Sequence, residues 1–172
     1  MSDATLKNER GISLVESLVI LSAFISFAAY LVYSFSVAFE AYKLTEAGQA
    51  LISELQVARL IAVTRNDQIQ ILFLTDDDQP ALSPELIKKV RLVNTDVPAK
   101  QVKEDLLVQG SVRFSQMPVP NQPMIFDSRG SLMTGLGNYD EDKNAIILEN
   151  SQGKVVIRVS ASGRIQLAGL PS

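Results

Sequence analysis

Between Ser17 and Phe39 the chain reads SLVILSAFISFAAYLVYSFSVAF, without a charge, a proline or a glycine. Wound as a helix at about 1.5 Å per residue, this run is about 35 Å long, enough to cross a hydrocarbon core of about 30 Å. Nothing else in the sequence limits the fold so strongly. Much of the 47% hydrophobic content falls in this block, so the remainder of the chain has the composition of an ordinary soluble domain. Lys7 and Arg10 precede the run and Lys43 comes after it. Basic residues just upstream of a span stay on the cytoplasmic side, so the C-terminal part is expected to face outward. Two plainer readings compete with a working membrane helix. One is a simple signal anchor. The other is a cleaved secretory signal, for which Ser26-Phe27-Ala28 is an acceptable small-x-small site.

Glu16 argues against both. It stands at the edge of the apolar run, in the series Ile12-Ser13-Leu14-Val15-Glu16-Ser17-Leu18-Val19. An ionisable group in a membrane segment costs of order a few kcal/mol near the centre and less near an end. A signal peptide gains nothing from an acid there, whereas a subunit that pairs this acid with a neighbour's cation does.

The segment Gly11-Ile12-Ser13-Leu14-Val15-Glu16, preceded by Arg10, resembles the processing site of type IV prepilins. In that family a membrane peptidase cuts after the glycine and methylates the new N-terminus. The resemblance implies a leader from Met1 to Gly11, a mature N-terminus at Ile12, and Glu16 as the retained acid. Ile12 departs mildly from the usual phenylalanine. The physical chemistry agrees with the implication, because a buried carboxylate needs a cation and the freed amine of Ile12 on an adjacent subunit can supply one.

Beyond the membrane the helix is expected to continue. Leu44, Ala47, Leu51, Leu55, Ala58 and Ala62 recur at spacings of three and four, with Lys43, Glu46, Gln49, Glu54 and Arg59 between them. Gly48 in this stretch could allow close packing. Arg65-Asn66 is a fitting end, with a basic residue in the last turn and an Asn that tolerates a left-handed cap. After Asn66 the period becomes strand-like. Strands are expected over Gln68 to Leu74, Lys88 to Val93, Leu106 to Gln109, Ser111 to Ser115, Met124 to Asp127, Ala145 to Glu149, Lys154 to Ser160 and Arg164 to Ala168, the last three as a meander. Thr75 to Ile87, with Pro80 and Pro84, reads as a loop.

This arrangement resembles the GspH/FimT family of minor pilin-like subunits, in which a long N-terminal helix precedes a small, mostly antiparallel β domain. The matching pieces are Ala62-Val63-Thr64-Arg65-Asn66, Ile125-Phe126-Asp127-Ser128-Arg129-Gly130 and Val159-Ser160-Ala161-Ser162-Gly163-Arg164-Ile165. Some FimT-like subunits are associated with DNA uptake through a basic Gly-Arg-x-Arg motif. Here the segment is Gly163-Arg164-Ile165-Gln166, so the second arginine is missing. Arg164, with Arg158 nearby, would offer few phosphate contacts, and nonspecific affinity grows with the number of phosphates neutralised.

The chain has no Cys and no His. Disulfides, thiolate zinc sites, cysteine nucleophiles and Ser-His-Asp chemistry are therefore excluded, and the reading is not an enzyme. A net charge of -3 advertises no nucleic-acid partner. Asp76-Asp77-Asp78 and Asp140-Glu141-Asp142 read as solvated loops. Asn138 to Asn144 lacks the spacing of a calcium loop and carries an opposing Lys143, so no metal or other cofactor is expected.

The expected architecture is α+β. Residues 1–11 form a leader, 12–40 a transmembrane and assembly helix, 41–66 its amphipathic continuation, and 67–172 a β-rich head. The expected role is structural: a minor pilin or pseudopilin of a type IV pilus or a type II secretion pseudopilus. Its partners would be other pilins, the prepilin peptidase and the inner membrane, with the head periplasmic or extracellular. A DNA-uptake pilin and an unrelated exported binding protein with a conventional signal are the alternatives.

Overall fold

The computed structural model describes residues 13–95, 100–108, 110–117, 124–133 and 145–169. The chain divides into two compact units, Met1–Ala38 and Phe39–Ser172. One helix, α1, runs from Leu14 to Arg65 and supplies segments to both.

In the first unit the helix has no buried residue. Leu18, Ile25, Phe27 and Val32 are all exposed, and the most apolar window has a mean hydropathy of 2.1. Three of its serines turn inward on the helix itself. The Ser22 hydroxyl donates to the Val19 carbonyl at 2.8 Å, Ser26 to Ser22 at 2.9 Å and Ser36 to Tyr33 at 2.7 Å. Back-bonding of this kind leaves no hydroxyl seeking water, which suits an apolar solvent.

In the second unit the same helix is one-sided. Leu44, Gly48, Leu51, Leu55, Ala58 and Ala62 are buried at alternating spacings of three and four, the stripe expected from the sequence except that Gly48 takes the buried place expected of Ala47, which is half-buried. Gly48 is the tight point: a Cβ there would stand 2.8 Å from Val155 Cγ1. The helix ends where its residues predict. Asn66 is left-handed at φ 55, and the Asp67 N–H reaches back to the Ala62 carbonyl at 3.1 Å, the bond pattern of a Schellman cap.

The strands are β1 (Ile69–Leu74), β2 (Lys89–Asn94), β3 (Leu106–Leu107), β4 (Arg113–Gln116), β5 (Met124–Phe126), β6 (Leu132–Met133), β7 (Ala145–Asn150), β8 (Gly153–Val159) and β9 (Ile165–Gly169). They form a five-stranded sheet in the order β3-β2-β1-β5-β6 and a four-stranded sheet in the order β4-β7-β8-β9. Every strand pair among the described residues is antiparallel. Alternate residues of both sheets, including Ile69, Ile71, Leu92, Phe126, Leu148, Val155 and Ile157, share one core with the helix stripe. Phe73 of β1 meets Phe114 of β4 edge-on, ring centroids 5.8 Å apart, so an aromatic pair joins the two sheets at a favourable geometry.

The β7-β8-β9 meander is as expected. Four points differ. The β6 strand has no counterpart among the expected ones, because two residues are too few to show alternation. The strand expected from Ser111 begins at Arg113, since the chain turns through Gly110 at φ 80. Glu54, expected to face solvent, is buried, and Lys103 donates to its Oε2 at 2.5 Å. Asp78 is not simply solvated: its Oδ1 accepts from Arg91 Nη2 at 2.8 Å and from Lys89 Nζ at 3.3 Å.

Candidate assembly surface

Five places in the described fold bring candidate residues together. The first is the N-terminal end of α1. Glu16 lies in the first turn and is exposed, where the unpaired N–H groups of a helix start favour a negative charge. Gly11 and Ile12 lie outside the described residues, as do Asp140-Glu141-Asp142 and the rest of Asn138 to Asn144. Among the described residues no cluster of three or more acids is built to hold a metal.

The second place is a corner of the head where the two sheets meet. The turn after β5 is closed by Asp127, whose Oδ1 accepts from the N–H groups of Arg129 at 2.9 Å and Ser131 at 2.7 Å. The turn after β8 is closed by Ser160, whose Oγ accepts from the Arg164 N–H at 3.0 Å. Gly130 and Gly163 have φ of 79 and 75. The turns interlock: the Leu132 N–H donates to the Ala161 carbonyl at 2.9 Å. A Cβ on Gly163 would come within 1.8 Å of the Gly130 oxygen. That same oxygen accepts from Arg59 Nε at 3.1 Å, so the helix seals the corner. A Cβ on Gly130 would lie 3.0 Å from Val63 Cγ2. The three segments that carried the GspH/FimT resemblance thus converge on one corner. Sequence reasoning missed the Arg59 contact, whose only local signal was a charge beside the apolar stripe.

The third place is the helix turn at Glu40. Lys43 Nζ donates to Glu40 Oε1 at 2.9 Å, the Ser111 hydroxyl contacts Glu40 Oε2, and Asn150 Nδ2 donates to the Glu40 carbonyl at 2.7 Å. One residue thereby ties the chain before β4 and the β7-β8 hairpin to the helix. Beside it runs a groove of about 530 Å³, between Phe39, Lys43, Glu46, Ala47 and Ala50 on the helix and the chain from Leu106 to Val108 with Gly110.

The edge of the first sheet is held by charge. Arg91 Nε and Nη2 donate to Asp105 Oδ1 and Oδ2 at 2.8 and 2.6 Å, a two-pronged pair. The hydrogen bond from Arg91 holds the Asp105 carboxyl below its ordinary pKa, and Asp105 in turn raises that of Arg91.

Arg158 and Arg164 come to the same exposed face of the second sheet. Arg158 stands opposite Gln166 in the β8-β9 register. With the Gln166 amide turned so that its oxygen faces the guanidinium, Arg164 Nε and Nη2 lie 2.7 and 2.9 Å from it. Two cations on a strand pair make a small phosphate footprint.

No protein-family model and no curated protein sequence matches the chain. Solved structures do. The type IV minor pilin FimU of Pseudomonas aeruginosa superposes with a TM-score of 0.55 at 20% identity, over 77% of this chain and 93% of FimU. A second crystal form of FimU gives a TM-score of 0.52 at 19% identity, over 75% and 95%. The chain has the pilin fold. The minor pseudopilin EpsH of the type 2 secretion system of Vibrio cholerae has a TM-score of 0.49 at 8% identity, over 74% of this chain and 97% of EpsH. Within the pilin fold, the exposed apolar part of α1, with its single carboxylate at Glu16, forms an extended surface that none of the described residues covers.

Proposed function

We propose that this chain is a minor pilin or pseudopilin, a structural subunit and not an enzyme. It is made as a precursor, cut after Gly11 by a prepilin peptidase, methylated at Ile12, and held in the inner membrane by residues 12–40 with the head outside. It then enters a filament of the type IV pilus or type II secretion kind. The observation that carries this reading is an apolar helix with no buried residue in the unit up to Ala38 joined to a head of the pilin fold, as in the minor pilin FimU. Such a surface must be covered by lipid or by other helices. When subunits associate, Glu16 passes into an apolar bundle and must find a cation or bind a proton. The amine of Ile12 on a neighbouring subunit is the cation, and cleavage creates it.

Intact-mass analysis of the membrane-extracted protein tests the processing. The expected mass lacks Met1 to Gly11 and carries one extra methyl group. Cleavage after Ala28 would overturn the reading.

A further inference from the structure

The groove beside Glu40 has an order that the filament reading does not use. Phe39, Lys43 and Glu46 line it together, spaced four and three residues apart on one helix face. Successive steps along the axis are about 6 and 4.5 Å. Phe39 is the last residue of the uncharged run, so the three read outward from the membrane as apolar ring, cation, anion. A zwitterionic phospholipid carries its groups in the matching covalent order: acyl chain, phosphate, amine.

The surroundings suit that ligand. Phe39 is 59% exposed, and Leu107 on the opposite wall is 51% exposed. The Lys43 ammonium sits 4.6 Å from the Phe39 ring centroid, and of its three N–H donors the Glu40 contact takes one. Ala47 and Ala50 keep the floor of the groove open. Lysine and aromatic residues at this depth are the side chains that meet a headgroup layer. An anionic lipid such as phosphatidylglycerol would set the same phosphate beside Lys43 but has no ammonium to meet Glu46.

We infer that the groove between Phe39, Lys43, Glu46 and Leu107 binds the headgroup of a zwitterionic phospholipid, with its phosphate beside Lys43 and its amine beside Glu46. This rests on the membrane-anchored reading. The subunit would then hold a lipid before assembly, and would release or carry it on leaving the membrane.

The full chain, reconstituted in vesicles of phosphatidylethanolamine and phosphatidylglycerol with identical acyl chains, provides the test. After an alkaline wash and mild detergent extraction, native mass spectrometry reads the lipids that remain bound. Phosphatidylethanolamine should be enriched about threefold over the vesicle composition, the size expected of one partly exposed ion pair. Glu46→Gln should abolish the enrichment and Lys43→Gln should lower the total lipid retained. Gln49→Ala, on an exposed helix position, should change neither. The two charge variants remove partly exposed or exposed groups and should melt with the parent chain. A chain stripped off by the alkaline wash would defeat the membrane-spanning reading itself. A chain that stays but holds lipid in the vesicle's own ratio, or prefers phosphatidylglycerol, overturns the lipid inference alone. So does a Glu46→Gln variant that loses crosslinking to other subunits with its lipids unchanged, since the groove would then belong to a protein neighbour.

Discussion

The two parts of helix α1 have the same secondary structure and opposite surroundings. From Phe39 onward it buries Leu44, Leu51, Leu55, Ala58 and Ala62 completely or nearly so. Up to Ala38 it buries nothing. The sequence shows why. The later stretch alternates apolar and polar residues on a helical period, so one face can serve water and the other the core. The earlier stretch is apolar all round, which a helix can sustain only in lipid or within a bundle of other helices. On the reading proposed above, such a helix has two jobs: its outer half holds a head together, and its inner half joins subunits.

The contrast breaks most severely at the corner that the outer half seals. Gly163→Ala would force a Cβ against the Gly130 oxygen at 1.8 Å and put a side chain at φ 75. Backbone strain plus a clash with main chain should unfold the head or lower its stability by more than about 4 kcal/mol. Thermal melting followed by circular dichroism measures it. A variant that melts within a few degrees of the parent would mean that the two turns are not interlocked.

A matched pair of truncations sharpens the contrast. Leu55→Ala removes a fully buried side chain and should cost about 2 to 5 kcal/mol of head stability in chemical denaturation. Leu21→Ala, on the exposed inner half, should leave that stability unchanged and instead reduce co-purification with other pilins. Equal effects on head stability would erase the distinction between the two halves.

The smallest effect concerns pH. Asp105 has a folded pKa below its unfolded value because Arg91 donates to its carboxylate. The contribution is therefore present above the unfolded carboxylate pKa and is lost as pH falls through the lower, folded value. Asp105→Asn should destabilise the head by about 1 kcal/mol at neutral pH, and the gap between variant and parent should narrow under acid. A gap that does not change with pH would mean that the pair acts through packing.

The sequence made the local features legible. The buried helix stripe, the cap at Asn66 and the β7-β8-β9 meander all come from period and turn chemistry. Gly11, Ile12 and Glu16 are neighbours in the chain, so the proposal of processing after Gly11 rests on local sequence alone. What could not be read depends on contacts distant in sequence. Arg59 and Gly130 are separated by 71 residues, and no local pattern marks an arginine that caps a turn on another sheet. Glu54 shows the same limit, because periodicity treats a charge as a solvent residue and cannot see Lys103 closing over it. The division of the strands into two sheets likewise depends on pairing between distant segments.

On the proposed function, assembly turns on Glu16. If the exposed inner helix exists to join subunits, its one carboxylate is there to meet a neighbour's amine. Glu16→Ala should insert and be cleaved normally yet enter the filament poorly, because the bundle would then bury an amine without its partner, which costs a few kcal/mol or forces deprotonation. Glu16→Gln, with the shape but not the charge, should be similarly impaired, while Arg164→Ala should assemble as the parent does. Crosslinking to the major subunit of the filament in the producing cell reads the outcome directly. Crosslinking by Glu16→Ala reduced about tenfold or more against Arg164→Ala, at equal membrane levels, is the result expected of losing such a buried pair. Undiminished crosslinking would contradict the claim that this acid guides assembly.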